Sequence, residues 1–579
     1  MSHSITASPA RGTLNRRTAQ LATMALVFGA SVLVVLLLQV RNGIYGAELV
    51  YDESSHYVSG VMIHDYLVQH QVLSPVTFLR VFEGHYPLVG IGHWGPLYYV
   101  VEAVWMIFAG SSRASALVLA AVIAALIATC VHTIVARRFG AVLGAAAALL
   151  FLISPMVQSS AGEVMLDLPI ALLCLLAALA YARFLDRPTA LWSALFGLLA
   201  AAALLVKGNA ACLALLPPLA VLIGRRFDLL SRWSFWLPVP IVLLLAAPWY
   251  AFTYGMVAAG FRYSWGLHYT TVAVADNARS LLQAVGPIVL ALGLLGFLLV
   301  LVRRTRLALD GVTVSAASLL IAVWLFQIIV PAAIQSRYLV PDLPPLLFLS
   351  ALATYWIIDR VVPSGAQRPR WQRDGAVLIG AAVPLLAILP YAAAEQPKQR
   401  LGIDPAVAVL WHDVDARNPT VLLATDGVGE VAALSSIVAN RPKQPAMFVV
   451  RGSRLLGGGG YNTSEYRPRF ATIADVQRAI DRYAIRFVLY RSTRRPGDWA
   501  HVQQVADAAN AEPDRWKLLY RNVQPHYDVR LYEIKGNRDL RDGGRPLLRL
   551  SGPRAFRDKT AGRQSAAPQA PAGASEAVP

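Results

Sequence analysis

Two adjacent acids, Asp52 and Glu53, lie in the segment YDESSHY, among few other charges and many aromatic residues: Tyr45, Tyr51, Tyr57, Tyr66, Trp94, Tyr98 and Tyr99. A carboxyl group in such surroundings loses hydration, and its pKa rises towards the range a general base needs. We take Asp52 and Glu53 as the catalytic pair. Glu163 and Asp167 stand four apart in EVMLD, on one face if that stretch is helical. Lys207 closes the apolar run ALLVKGNA, and Arg337 with Tyr338 lies in QSRYLVPDLPP. An ammonium and a guanidinium are both counter-charges for a phosphate, and the guanidinium can bind it as a fork. Each residue also has a plain reading: a solvated acid pair, a wetted helix end, a lysine that snorkels. His56, His85, His93 and His268, with the nearby acids, could hold a divalent metal ion, although no His-x-x-x-His spacing supports one. No cofactor follows from the sequence. A P-loop is absent, which excludes the usual ATP-driven machinery, and GGGG at 457–460 reads as a flexible loop.

The elements that must position these residues are membrane helices. Of the 579 residues, 56% are apolar and 15% charged, against roughly 45–50% and 25% in soluble domains. Cys130, Cys174 and Cys212 all fall inside apolar runs, which excludes a disulfide scaffold. The net charge of +18 does not indicate nucleic acid, because the arginines form short clusters between apolar segments. Eleven stretches have about the length of a bilayer span: 20–40, 114–136, 139–156, 166–185, 189–206, 209–224, 234–254, 281–302, 312–332, 341–358 and 375–392. Arginines gather at every second boundary, from Arg16/Arg17 through Arg137/Arg138, Arg183/Arg187, Arg225/Arg226/Arg232 and Arg303/Arg304/Arg306 to Arg360/Arg368/Arg370/Arg373. By the positive-inside rule residues 1–19 are cytoplasmic. The alternation closes only if 95–112, which contains Glu102, lies at the interface or re-enters.

This gives a polytopic α-helical membrane protein, retained in the inner or plasma membrane by its first helix, with a transmembrane domain over 20–392. Its first extracytoplasmic loop, 41–95, is long, and YDESSHYVSGVMIHDYLVQH suits a helix on the membrane surface. After 393 the runs TVLLAT, MFVV, RFVLY, WKLLY and VRLYEI alternate with helical stretches such as TIADVQRAIDRYAI, so 393–552 reads as an extracytoplasmic α/β domain. Residues 553–579 have the composition of a disordered tail.

An acidic pair after the first helix, then HWGPLYYVV, EVMLDLP, LLVKGNA and QSRYLVPDLPP, in that order, resembles the GT-C glycosyltransferases. Within them the pattern resembles the branch of protein O-mannosyltransferases and aminoarabinose transferases. The resemblance covers about residues 15–392. It implies a polyprenyl-phosphate sugar as donor, transfer at the outer face to a glycan, lipid or protein acceptor, Asp52 as the base, and Lys207 and Arg337 near the lipid phosphate. The family's Lys-Pro-Pro is here His93-Trp94-Gly95-Pro96, so the role of that lysine is absent or moved. Two other classes compete: a multi-span transporter, and a sensor or scaffold whose outer domain binds a ligand. A transporter favours two similar halves and acids at the bilayer midplane; here the charges sit at helix ends and no repeat is evident.

Overall fold

Apolar runs of span length become helices because a helix satisfies its own backbone where water is absent. The computed structural model describes residues 9–69, 74–258, 263–303, 310–363, 369–414, 419–441, 447–458, 466–494 and 498–537. Among these, seven single helices are long and apolar enough to cross a bilayer: Thr18–Arg41, Arg113–Phe139, Asp167–Asp186, Leu267–Leu301, Gly311–Ile329, Ser336–Val361 and Arg370–Ala393. Two more segments are bent pairs, Ala141–Ile153 with Pro155–Ala161 at 60° and Trp233–Leu245 with Ala247–Ala258 at 58°. Pro155 accounts for the first bend, since it cannot continue the preceding helix and turns Ser154 out of helical geometry. The expected spans 189–206 and 209–224 are the shorter apolar helices Ala190–Val206 and Gly208–Gly224. All eleven expected segments are therefore helical, while seven to nine have span length among the described residues. The difference is local: Ala190–Val206 ends at Lys207 in extended backbone, and the next segment opens with the tight turn Gly208–Ala214.

Close packing holds the membrane helices together. Ala121, Ala124, Ala128, Ala171 and Ala177 are wholly buried in one core, where small side chains bring helix backbones near each other. Leu26, Leu33 and Leu37 of the first helix are exposed, as a lipid-facing surface would be. Leu97–Ala109 has 13 residues, too few to cross, in keeping with its reading as a non-spanning helix.

The C-terminal part contains a five-stranded sheet: β1 (Thr420–Ala424), β2 (Phe448–Arg451), β3 (Phe487–Ser492), β4 (Trp516–Gln524) and β5 (Tyr527–Ile534), in the order β2-β1-β3-β5-β4. The first three are parallel, with Val421 opposite Val449 and Leu422 opposite Val488; β5 runs antiparallel to β3 and β4. Side chains alternate along the strands. Leu422, Ala424, Val488 and Tyr490 face one core with the helices Ile473–Arg482 and Ala500–Ala511. Val421, Leu423, Phe487 and Leu489 face the other, which they share with Tyr57, Val61, Phe78 and Phe82 from the first loop.

Two expectations are corrected. YDESSHYVSGVMIHDYLVQH forms the helix Tyr51–Val68, but it does not lie open on the membrane surface: Tyr57, Val58 and Val61 are fully buried. It packs against both Leu97–Ala109 and the helix Gly427–Ala439. The loop 41–95 is thus part of the same core as the sheet's lower face, which also takes in Met106, Leu117 and Val164 and the helix Gly427–Ala439. Gly457–Gly458 pairs with Arg467–Pro468 as a short ladder where a free glycine loop was expected. Residues 459–460, the tail 553–579, and Arg262, Arg304, Arg306, Arg368 and Arg495 lie outside the described residues, as do the side chains of Arg16 and Arg17.

Candidate active site

Asp52 stands in the first turn of the helix Tyr51–Val68, immediately after Tyr51, whose φ of 49° is left-handed. A non-glycine residue there costs about 1–2 kcal/mol and persists only where its surroundings hold it. Glu53 supplies that hold. Its Oε1 accepts from the Val50 amide at 2.7 Å and from Lys398 Nζ at 2.5 Å, and its Oε2 accepts from the Val164 amide at 3.4 Å. Glu53, expected beside Asp52 in the chemistry, is 2% exposed and turned into the protein, whereas the Asp52 side chain is 43% exposed. Burial, partly offset by Lys398, pushes the Glu53 carboxyl above its usual pKa.

Arg337 comes from the short turn Ser336–Asp342, which leads into the helix Leu343–Val361. Its Nη2 donates to Asp52 Oδ2 at 3.0 Å, its Nε lies 3.8 Å from Asp167 Oδ2, and its Nη1 lies 4.0 Å from Glu163 Oε2. Asp167 opens the helix Asp167–Asp186, where a carboxylate meets the positive end of the helix dipole. Its other oxygen accepts from Lys207 Nζ at 2.6 Å, and the Tyr338 ring lies 4.2 Å from the same ammonium. The structure therefore brings together Asp52, Glu163, Asp167, Lys207, Arg337 and Tyr338, residues up to 286 positions apart in sequence numbering (338 minus 52). Three carboxyl groups share two cations. Burial first, and then the charge of Glu53, raises Glu163 to about 7, so it titrates near neutrality.

His93 meets the Met256 carbonyl at 3.1 Å and packs edge-on against Trp94, their rings 4.6 Å apart. His56 is buried against the other side of Trp94, with its Nδ1 2.9 Å from the Tyr99 hydroxyl. Burial, with help from Lys207 and Arg337, lowers the His56 pKa and keeps the ring neutral. HWGPLYYVV thus forms an aromatic wall beside the charges. Gly95 is required there, since a Cβ would lie 1.9 Å from the Leu205 carbonyl oxygen, two residues before Lys207. His85 is elsewhere, stacked on Phe448 of β2 at 4.1 Å, and His268 is at the start of Leu267–Leu301. Among the described residues no three His, Cys, Asp or Glu side chains are grouped to hold a metal ion.

The sequence reading missed Lys398 and Glu48. Lys398 is the lysine of EQPKQR, beyond the last span, and nothing local marks it as a partner for Glu53. Glu48 accepts from the amides of Leu401 and Ile403 at 2.8 Å each and Asp404 at 3.3 Å, tying the first loop to the chain that enters the sheet domain.

The model of the family described as dolichyl-phosphate-mannose-protein mannosyltransferase matches residues 96–252, a stretch that includes Glu163, Asp167 and Lys207. The structure of ArnT from Cupriavidus metallidurans in the apo state superposes with a TM-score of 0.56 at 15% identity, over 89% of this chain and 98% of that one. The chain has the fold of a GT-C membrane glycosyltransferase. ArnT from Cupriavidus metallidurans bound to undecaprenyl phosphate matches this chain with a TM-score of 0.53 at 16% identity, over 89% of this chain and 99% of that one. No curated protein sequence matches it. The likeness extends along nearly the whole of ArnT, so the shared fold takes in the sheet domain as well as the membrane helices.

Proposed function

We propose that the chain transfers a sugar from a polyprenyl-phosphate donor to an acceptor hydroxyl or phosphate at the extracytoplasmic face, inverting the anomeric centre. The observation that carries this reading is the meeting of Asp52, Asp167, Lys207 and Arg337, from four separate helix ends, in one half-open site. The lipid phosphate bound by the related ArnT supports the donor class. The arginine alternation supports an orientation with the N-terminus inside and the outer layer outside, in the inner or plasma membrane. Charges collected at helix ends under a lid-like outer layer favour surface transfer chemistry over transport.

In this reading the acceptor oxygen attacks the anomeric carbon while the bond from that carbon to the phosphate oxygen breaks. Asp52 takes the acceptor's proton, and the electron pair leaves with the phosphate, which changes from diester to monoester. One displacement inverts the centre. Arg337 faces the growing negative charge, and a preplaced cation is worth most where charge appears in the transition state. The phosphate competes with Asp52 for the Arg337 fork, so donor binding frees the carboxylate at the moment a base is required. Lys207 is neutralised by Asp167 and braced by Tyr338; it adds positive potential behind the arginine. Glu163, near its own pKa, adjusts its proton as the phosphate arrives, and His93 and Trp94 wall the site. The acceptor is a hydroxyl or phosphate of a glycan, lipid or protein.

Purified membranes carrying the protein should transfer radiolabelled sugar from polyprenyl-phosphate sugars to an endogenous acceptor. A panel of such donors yielding no label above control membranes would overturn the reading.

A further inference from the structure

Three segments that are distant in sequence meet at the buried carboxylate of Glu53. The first is the start of the helix that carries Asp52, through the Val50 amide at 2.7 Å. The second is the EVMLD segment that carries Glu163 and Asp167, through the Val164 amide at 3.4 Å. The third is the connector from the last membrane helix to the outer sheet, through Lys398 Nζ at 2.5 Å. The connector is itself anchored: the Lys398 amide donates to the Asn42 carbonyl at 3.0 Å, and Asn42 Nδ2 donates to Gln158 at 3.3 Å. Gln158 in turn reaches the Ala392 carbonyl at 3.4 Å. Tyr51, one residue before Asp52, is held in left-handed backbone between the Val50 bond and the helix. Relaxing that bond lets the turn move and carries Asp52 with it.

We propose that Glu53 and Lys398 form a positioning clamp, in which the outer-layer connector sets the placement of Asp52 and of the EVMLD segment for sugar transfer. The inference rests on the transferase reading above and adds the residue that holds the base in place. Lys398 touches none of the reacting groups. It acts by keeping Glu53 ionised, so that one carboxylate serves two amides from different segments. Without it Glu53 is left as a buried charge without a counter-ion, and the group protonates or swings outward, giving up its amide donors.

The test combines kinetics with amide hydrogen exchange. Lys398→Met should lower kcat about a hundredfold, the scale of an ångström-sized misplacement, while the donor KM stays within about threefold, since phosphate contacts are untouched. Lys398→Arg should recover most of the rate, because it restores a cation at the same carboxylate. Glu53→Gln/Lys398→Met removes both charges and leaves an amide oxygen for Val50. It should be faster than Lys398→Met by about tenfold, the non-additivity of a coupled pair, yet slower than wild type. In Lys398→Met the peptides containing Val50 and Val164 should exchange faster, and in the double variant less so. Wild-type kcat in Lys398→Met, a loss confined to KM, or unchanged exchange at Val50 and Val164 would each overturn the clamp. If Lys398→Met does not fold, the double variant decides, because wild-type kcat or wild-type exchange there overturns it equally. Should the wild-type protein transfer no sugar at all, the transferase reading falls, and the exchange measurements still judge the clamp.

Discussion

At the scale of single residues, the site separates two neighbouring acids into opposite environments. Asp52 is half exposed and shares the Arg337 fork, while Glu53 is buried in a web of amides and Lys398. Asp52→Asn keeps the shape but cannot accept the acceptor's proton. It should cost at least the 10²–10⁴-fold, roughly, that a general base contributes, with donor binding retained. Transfer assays and lipid-phosphate binding on the same preparation check this, and near-normal turnover would remove Asp52 from the chemistry. Glu163 offers a pH test. Its folded pKa is raised to about 7 from 4.5, burial being the larger cause and the Glu53 charge the next. The folded chain therefore binds this proton more tightly than the unfolded chain. The resulting stability is fully present below about pH 4.5 and is lost as the pH rises to about 7. Glu163→Gln should flatten that decline in a series of thermal midpoints in detergent. A decline as steep as the wild type's would show that the burial of Glu163 is not felt.

At the scale of elements, short polar contacts tie the sheet domain to the first loop and the membrane helices. Glu48 receives three amides at the approach to the helix Asp404–Asp413. Asp404 forms a two-point pair with Arg113, at 3.1 and 2.5 Å, where the helix Arg113–Phe139 begins. Arg441 pairs with Asp65 of the first-loop helix, and Arg451 pairs with Glu430 inside the sheet domain at 2.8 Å. Both arginines are therefore engaged in holding the structure together. Hydrogen bonds to a charged group contribute about 1.5–3 kcal/mol, and Glu48→Ala leaves amides buried without an acceptor. The variant should melt earlier and become protease-sensitive near 393–403, while the membrane helices stay protected. Limited proteolysis followed by mass analysis reads this directly; an unchanged cleavage pattern would mean the contacts are redundant.

At the scale of the whole molecule, the layer that contains the sheet is not a separable attachment. Its lower core contains Tyr57, Val61, Phe78 and Phe82 from the first loop together with Leu434, Phe487 and Leu531 from the sheet domain. Removing residues 400–579 strips those side chains of their partners, and each large apolar side chain left exposed forfeits about 1.5–3 kcal/mol of burial. The truncated chain is accordingly expected to lose donor use together with acceptor use. The comparison to make is lipid-phosphate binding and monodispersity of the truncated protein against the full chain. A monodisperse fragment that binds donor normally would show that the first loop keeps its shape without the sheet.

Composition and periodicity determined the class of this protein and most of its secondary structure. Span-length apolar runs leave the backbone no alternative to a helix in hydrocarbon, and the five short runs after 393 all became strands as read. Asp52, Lys207 and Arg337 stood out in the sequence as candidates because isolated charges at apolar helix ends are costly and need a reason. Tertiary structure alone decided what each charge meets. Lys207 turned to Asp167, Glu53 to Lys398 across 345 positions, and Arg441 to Asp65 across 376. Pairings at such separations leave no local pattern, since they depend on how helices and sheet pack. The same holds for the first loop: its alternating apolar and polar residues read equally well against a membrane surface or against a protein. The helices Leu97–Ala109 and Gly427–Ala439, which supply its buried apolar partners, settled it.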